Sequence, residues 1–115
     1  MAMAEKRPGE PFTRIDVHEA KAMIEAGGVQ VIDSREPYEH EDGHVPGSIQ
    51  IQHMATLVHA DKLAKDRPIL FICKSGARSA VAAEFAAALG LTDLYNVEGG
   101  HEAWAKAGYP MDTGR

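Results

Sequence analysis

Cysteine is nearly absent from this chain: Cys73 is the only one in 115 residues. No internal disulfide can form, so an oxidised covalent framework is excluded, and a reducing compartment, the cytoplasm, is the expected home. No apolar run is long enough to span a bilayer, and the N-terminus lacks an apolar signal-like core. Positive charge is not in excess either. Twelve Lys and Arg stand against 17 Asp and Glu, for a net charge of −5. That balance offers no surface for nucleic acid or anionic membrane. Internal repeats and low-complexity tracts are missing, as are a G-x-S-x-G elbow, a phosphate-binding P-loop and a dinucleotide fingerprint.

Against these absences stands an ordinary globular composition, 44% apolar and 25% charged, in a length that supports one core. The expected layout is a flexible lead-in over 1–11, one domain over 12–110 and a tail over 111–115. Phe12 to Ile15 forms a weak first strand. Asp16 and Glu19 have the spacing of a capping box, followed by an apolar stripe at Ala20, Met23 and Ile24 that ends at Gly27 and Gly28. Val29 to Asp33 is β-branched and strand-like. The connection from Ser34 to Gly47 is polar, and Pro37 can start a helical turn there. Ile49 to Ile51 reads as a short strand and His53 to Leu63 as a helix. Pro68 to Ile72 is the strongest strand, apolar on both faces, as at the centre of a parallel sheet. Ser79 to Leu89 reads as a helix whose alanines permit close packing, Leu94 to Val97 as a fifth strand, and His101 to Ala107 as a last helix. Strands alternating with helices predict an α/β fold.

Cys73 follows the strongest strand, at the sheet edge where such folds bind ligands. It opens a short polar loop, Lys74, Ser75, Gly76, Ala77 and Arg78. Gly76 permits positive φ, which lets successive amides turn inward. Arg78 and Ser79 would begin the next helix, adding its unpaired N–H groups and dipole. Lys74 and Arg78 bring positive charge that lowers the thiol pKa and attracts an anion. The loop is thus built to hold a thiolate, with Lys74 to Ser79 as its cradle.

Four segments carry a resemblance. Val31 to Glu39 contains Asp33-Ser34-Arg35, where the pattern usually has Asp-Val-Arg. Gly43 to Ile49 is the second segment and Cys73 to Ser79 the third, with Lys74 where arginine is commoner. Asn96 to Gly100, with Ala103-Trp104 and Gly108-Tyr109-Pro110, is the fourth. In this order the chain resembles a single-domain rhodanese, of the thiosulfate sulfurtransferase type, from about Ile15 to Pro110.

The resemblance implies a three-layer α/β/α fold with a five-stranded, mostly parallel sheet. It implies that Cys73 accepts a sulfane sulfur from a small anionic donor such as thiosulfate and passes it to cyanide or a thiol, with thioredoxin or glutathione as candidate acceptors. The carrier is a covalent persulfide on Cys73, and no cofactor is expected. Four residues separate Cys73 from Arg78. Related cell-cycle-type phosphatases and arsenate reductases have one more, which widens the cradle for a tetrahedral oxyanion. A Cys-dependent phosphatase or arsenate reductase is therefore the first alternative, and a sulfur-carrier or interaction module the second. Asp33 and Arg35 are expected to tether the loops, and His44 to bond nearby backbone. His40, Asp42 and His44 lack thiolate partners and a ligand pattern, so no metal is expected. Trp104 and Phe85 read as core. His59 and Met54 lie where specificity can vary.

Overall fold

The computed structural model describes residues 4–114. Five strands, β1 (Thr13–Ile15), β2 (Gln30–Asp33), β3 (Ile49–Gln50), β4 (Ile69–Ile72) and β5 (Leu94–Val97), form one sheet in the order β1-β5-β4-β2-β3. Every pairing is parallel. Four α-helices connect and cover it: α1 (Val17–Ala26), α2 (Pro37–Asp42), α3 (Ala77–Ala88) and α4 (Gly100–Lys106). None is long and apolar enough to cross a membrane.

The central strand explains the layering. All four residues of β4 are at most 1% exposed. Alternate side chains point to opposite faces of a strand. Ile69 and Phe71 pack with Ile32, Leu94 and the α3 alanines Ala82, Ala83 and Ala86. Leu70 and Ile72 pack with Ile15, Val17, Ala20, Val31, Val97 and Trp104, under α1 and α4. Three alanines at 0% exposure let α3 lie close to the sheet. Trp104 is buried in the core, while Phe85 is half-buried.

Local signals behave as their chemistry dictates. The Asp16 carboxylate accepts the Glu19 amide at 2.9 Å and starts α1. Pro37 occupies the first turn of α2, which runs for six residues. Helix α3 starts at Ala77, two residues before the expected Ser79, because Gly76 takes a left-handed conformation (φ 113°) and turns the chain one residue after Ser75. Segment 53–63 departs further from expectation. It contains two separate 3₁₀ turns, His53–Ala55 and Ala60–Lys62, in place of one helix. Its apolar residues do not line one buried stripe: Met54, Leu57 and Val58 are exposed, and only Thr56 and Leu63 are buried.

Residues at both ends are paired with the body. Glu5 and Arg14 exchange two backbone hydrogen bonds of 2.7 Å. Asp112 does the same with His44 at 2.9 Å, and the Gly114 amide donates to the Glu41 carbonyl. Residues 1–3 of the expected lead-in and Arg115 of the tail lie outside the described residues.

Candidate active site

Strands β2 and β4 end level with each other, Asp33 opposite Ile72. The chain therefore leaves both strands at the same carboxyl edge, Cys73 from one and Ser34-Arg35 from the other. Cys73 is 1% exposed, yet its sulfur faces the loop and its donors. The Gly76 amide donates to Sγ at 3.0 Å and the Ser79 hydroxyl at 3.3 Å. Burial pushes the thiol pKa up. The Ser79 hydroxyl and the amides of Ser79, Gly76 and Ser75 outweigh that and hold it below its ordinary value. Of the residues expected to form the cradle, Ser75, Gly76 and Ser79 supply these donors.

Ser79 has one proton for two acceptors, Cys73 Sγ and Asn96 Oδ1. When the sulfur is ionised, the charge draws that proton toward it. Asn96 Nδ2 in turn donates to the Gly76 carbonyl at 3.1 Å and to Glu98. The turn around Gly76 is thereby bonded to β5.

The loop is also held from outside by α4. The His101 amide donates to the Cys73 carbonyl at 2.8 Å and the Glu102 amide to the Lys74 carbonyl at 3.1 Å. Such close approach requires a residue without a side chain at Gly100. A Cβ there would lie 2.4 Å from the Cys73 carbonyl oxygen.

A charged layer supports the neighbouring loop. Asp33 is 0% exposed and Arg35 7%. Arg35 donates through Nε and Nη2 to the two Asp33 oxygens at 2.9 and 2.8 Å, and through Nη2 to the Gly43 carbonyl at 2.7 Å. The pair thus ties the end of β2 to the backbone at Gly43. His40 Nδ1 donates to Asp33 at 2.9 Å and His44 Nδ1 to the His40 carbonyl at 2.6 Å. Burial pushes the Asp33 carboxyl up, but Arg35, His101 and His40 together hold it below its ordinary value. The rings of His40 and His44 stack with centroids 3.6 Å apart. Among the described residues no group of three or more His, Cys, Asp or Glu side chains is placed to hold a metal.

The two cations of the loop divide. Arg78 does not stand open to an anion, contrary to its expected role as an attractor. Its Nη1 and Nη2 donate to the two Glu39 oxygens at 2.7 and 3.0 Å, in a two-pronged pair that also keeps the Glu39 carboxyl at a pKa of about 2. The thiol's main support is hydrogen bonding, although Arg78 is near enough for a thiolate to stabilise its charge. Lys74 is exposed. It borders a depression shared with Tyr38, Asp42, His101, Glu102 and Met111. Met54 is 63% exposed on segment 53–63, and His59 is half-buried there.

Glu39, Asn96 and His101 belong to this site and were not singled out by the sequence. Asn96 had a signal, a polar residue within an apolar strand. Glu39 closes the first segment of the resemblance, but its pairing was not legible, because its partner lies 39 residues away.

A family model described as the Rhodanese-like domain matches residues 16–107. A thiosulfate sulfurtransferase, GlpE, from Vibrio cholerae is 30% identical over 102 residues, spanning 89% of this chain and 96% of that one. The crystal structure of a rhodanese-related protein from Thermoplasma volcanium is 34% identical, with a TM-score of 0.78 over 86% of this chain and 96% of its own. A Rhodopseudomonas palustris structure described as a possible tyrosine phosphatase is 32% identical, with a TM-score of 0.69 over 84% and 76%.

Proposed function

The chain belongs to the rhodanese-like domain family, and from that premise we propose that it is a sulfurtransferase working through a persulfide on Cys73. In the first half-reaction the Cys73 thiolate attacks the sulfane sulfur of a donor such as thiosulfate. The donor's S–S bond breaks, sulfite leaves with the electron pair, and Cys73 carries an extra, anionic sulfur. In the second, cyanide or a thiolate attacks that outer sulfur. The new S–S bond breaks and its electrons return to Cys73 as thiolate. No external reductant is needed for either transfer.

The observation that carries this reading is the sulfur's set of donors, the Gly76 amide at 3.0 Å and the Ser79 hydroxyl at 3.3 Å, in a loop of four residues between Cys73 and Arg78. A disulfide-length bond of about 2 Å would put the outer sulfur farther into the same loop. Fixed donors stabilise the anion before and after transfer without reorganising. A thiol that must return to its free form after each cycle suits a reducing compartment such as the cytoplasm. Small thiols such as glutathione, or thioredoxin, are the acceptors to test there.

Intact-mass measurement tests the reading. Thiosulfate should add one sulfur atom, cyanide should remove it, and Cys73→Ala should show neither change. No added sulfur, together with hydrolysis of an aryl phosphate, would establish the phosphatase alternative instead. An added sulfur that small thiols and cyanide cannot remove would mark a carrier module for a protein partner.

A further inference from the structure

His101 is 4% exposed and contacts the loop of Cys73 through two of its nitrogens. Its amide and its ring Nδ1 both reach the Cys73 carbonyl oxygen, at 2.8 and 2.9 Å. Its Nε2 faces the Val45 amide at 3.3 Å. A carbonyl only accepts and a backbone amide only donates, so these two partners define the ring: Nδ1 bears the proton and Nε2 is bare. The imidazole is a bridge between Val45, in the loop after Gly43, and the first peptide of the Cys73 loop.

That bridge controls a direction. In a trans peptide the C=O and N–H point opposite ways. With the Cys73 carbonyl drawn toward α4, the Lys74 amide of the same peptide turns away from α4. With the Lys74 carbonyl held by the Glu102 amide at 3.1 Å, the Ser75 amide turns likewise, and the next amide, that of Gly76, donates to the sulfur at 3.0 Å. The first two peptide planes of the loop are therefore set by His101 and Glu102 from behind.

We propose that His101 is a positioning residue for Cys73, holding the loop's first peptide plane so that the following amides face the sulfur. This deepens the sulfurtransferase reading and rests on it, but its test does not depend on turnover. The groups facing the ring are Asp33, Arg35 and His40 from the β2 and α2 side, and Lys74 and Glu102 beside the depression. Asp33 and Arg35 are committed to each other. Burial favours the neutral ring and lowers its pKa to about 4, so the bridge is intact at neutral pH.

The apparent pKa of Cys73 is read from the pH dependence of its alkylation by iodoacetamide, a measurement possible whether or not sulfur is transferred. His101→Phe keeps a planar ring and removes both ring hydrogen bonds. It should raise that pKa by about half a unit or more, a threefold loss of thiolate at fixed pH. His101→Gln retains one donor and one acceptor and should recover most of the shift. An unchanged pKa in His101→Phe overturns the proposal, and so does a Gln variant shifted as far as Phe. Should His101→Phe not fold, ¹⁵N shifts of the wild-type imidazole decide. The Nδ1–H tautomer at pH 7 supports the bridge; the Nε2–H tautomer or a charged ring overturns it. A wild type that shows these shifts but takes no sulfur from thiosulfate would defeat the functional reading and leave the positioning role standing.

Discussion

Replacing Gly100 by alanine should damage the fold and the thiol site together. Gly100 has φ +56°, and an added Cβ would meet the Cys73 oxygen at 2.4 Å, the Lys74 oxygen at 2.5 Å and the Lys74 carbonyl carbon at 2.6 Å. All three are backbone atoms, so no side chain can swing aside. Reaching ordinary contact requires α4 and the loop to part by about 1 Å. The parting stretches three hydrogen bonds, from the His101 amide, His101 Nδ1 and the Glu102 amide. The left-handed conformation costs alanine about 1 kcal/mol, overpacking costs about 1–3, and the partial stretching of the three hydrogen bonds together about 1. A total of about 3–5 kcal/mol is a large part of a small domain's stability and lowers Tm by about 12–20 °C. Gly28→Ala is the control, since Gly28 has φ +80° with nothing within 4 Å of its Cβ. It should carry the conformational cost alone, about 1 kcal/mol. Thermal melts followed by circular dichroism compare the two. Melting of Gly100→Ala at or above the Gly28→Ala temperature would refute the reasoning, because the clash would then cost nothing.

Two further outcomes follow from the charges. Lys74→Ala should raise the KM for thiosulfate about two- to fivefold, the scale of an exposed charge, and added salt should shrink the effect. Glu39→Gln, which releases the Arg78 guanidinium, should lower that KM; saturation curves in a thiosulfate:cyanide assay check both, and a raised KM in Glu39→Gln contradicts the assigned pairing. Stability should also fall on acidification. His101 binds its proton at about 4 in the folded protein against an ordinary 6.5, so the unfolded chain takes up protons first, and stability present above pH 6.5 is lost between 6.5 and about 4. The loss approaches about 3 kcal/mol at the acid end of that window. Below it, protonation of Asp33 and Glu39, both held below their ordinary values, removes more. Melts at pH 7 and pH 5 should differ more in the wild type than in His101→Gln; equal differences would contradict the assignment.

The central strand was legible because burial on both faces leaves an uninterrupted apolar run, Pro68 to Ile72. The Cys73 loop was legible because its requirements are local: a nucleophile after a buried strand, a glycine for the turn, then a helix start. The exact helix start was not, since one left-handed residue at Gly76 moved it. Segment 53–63 misled because helix propensity without a buried stripe does not sustain a helix, and Met54, Leu57 and Val58 found no core to face. Arg78 misled for a different reason. Charge is visible in a sequence, but whether it is already neutralised depends on a partner, and Glu39 comes from another helix.

The sequence by itself determined the alternation of strands and helices, the family, and a lone cysteine in a loop with the right glycine. Those properties depend on neighbours along the chain and on periodicity. Only the tertiary structure decided which cation is left open, that β5 holds the turn at Gly76, and that α4 holds the loop's first two carbonyls. Hydrogen bonds form over about 3 Å in space, and the residues that make these, Asn96, His101 and Glu39, come from parts of the chain that folding alone brings to Cys73 and its loop.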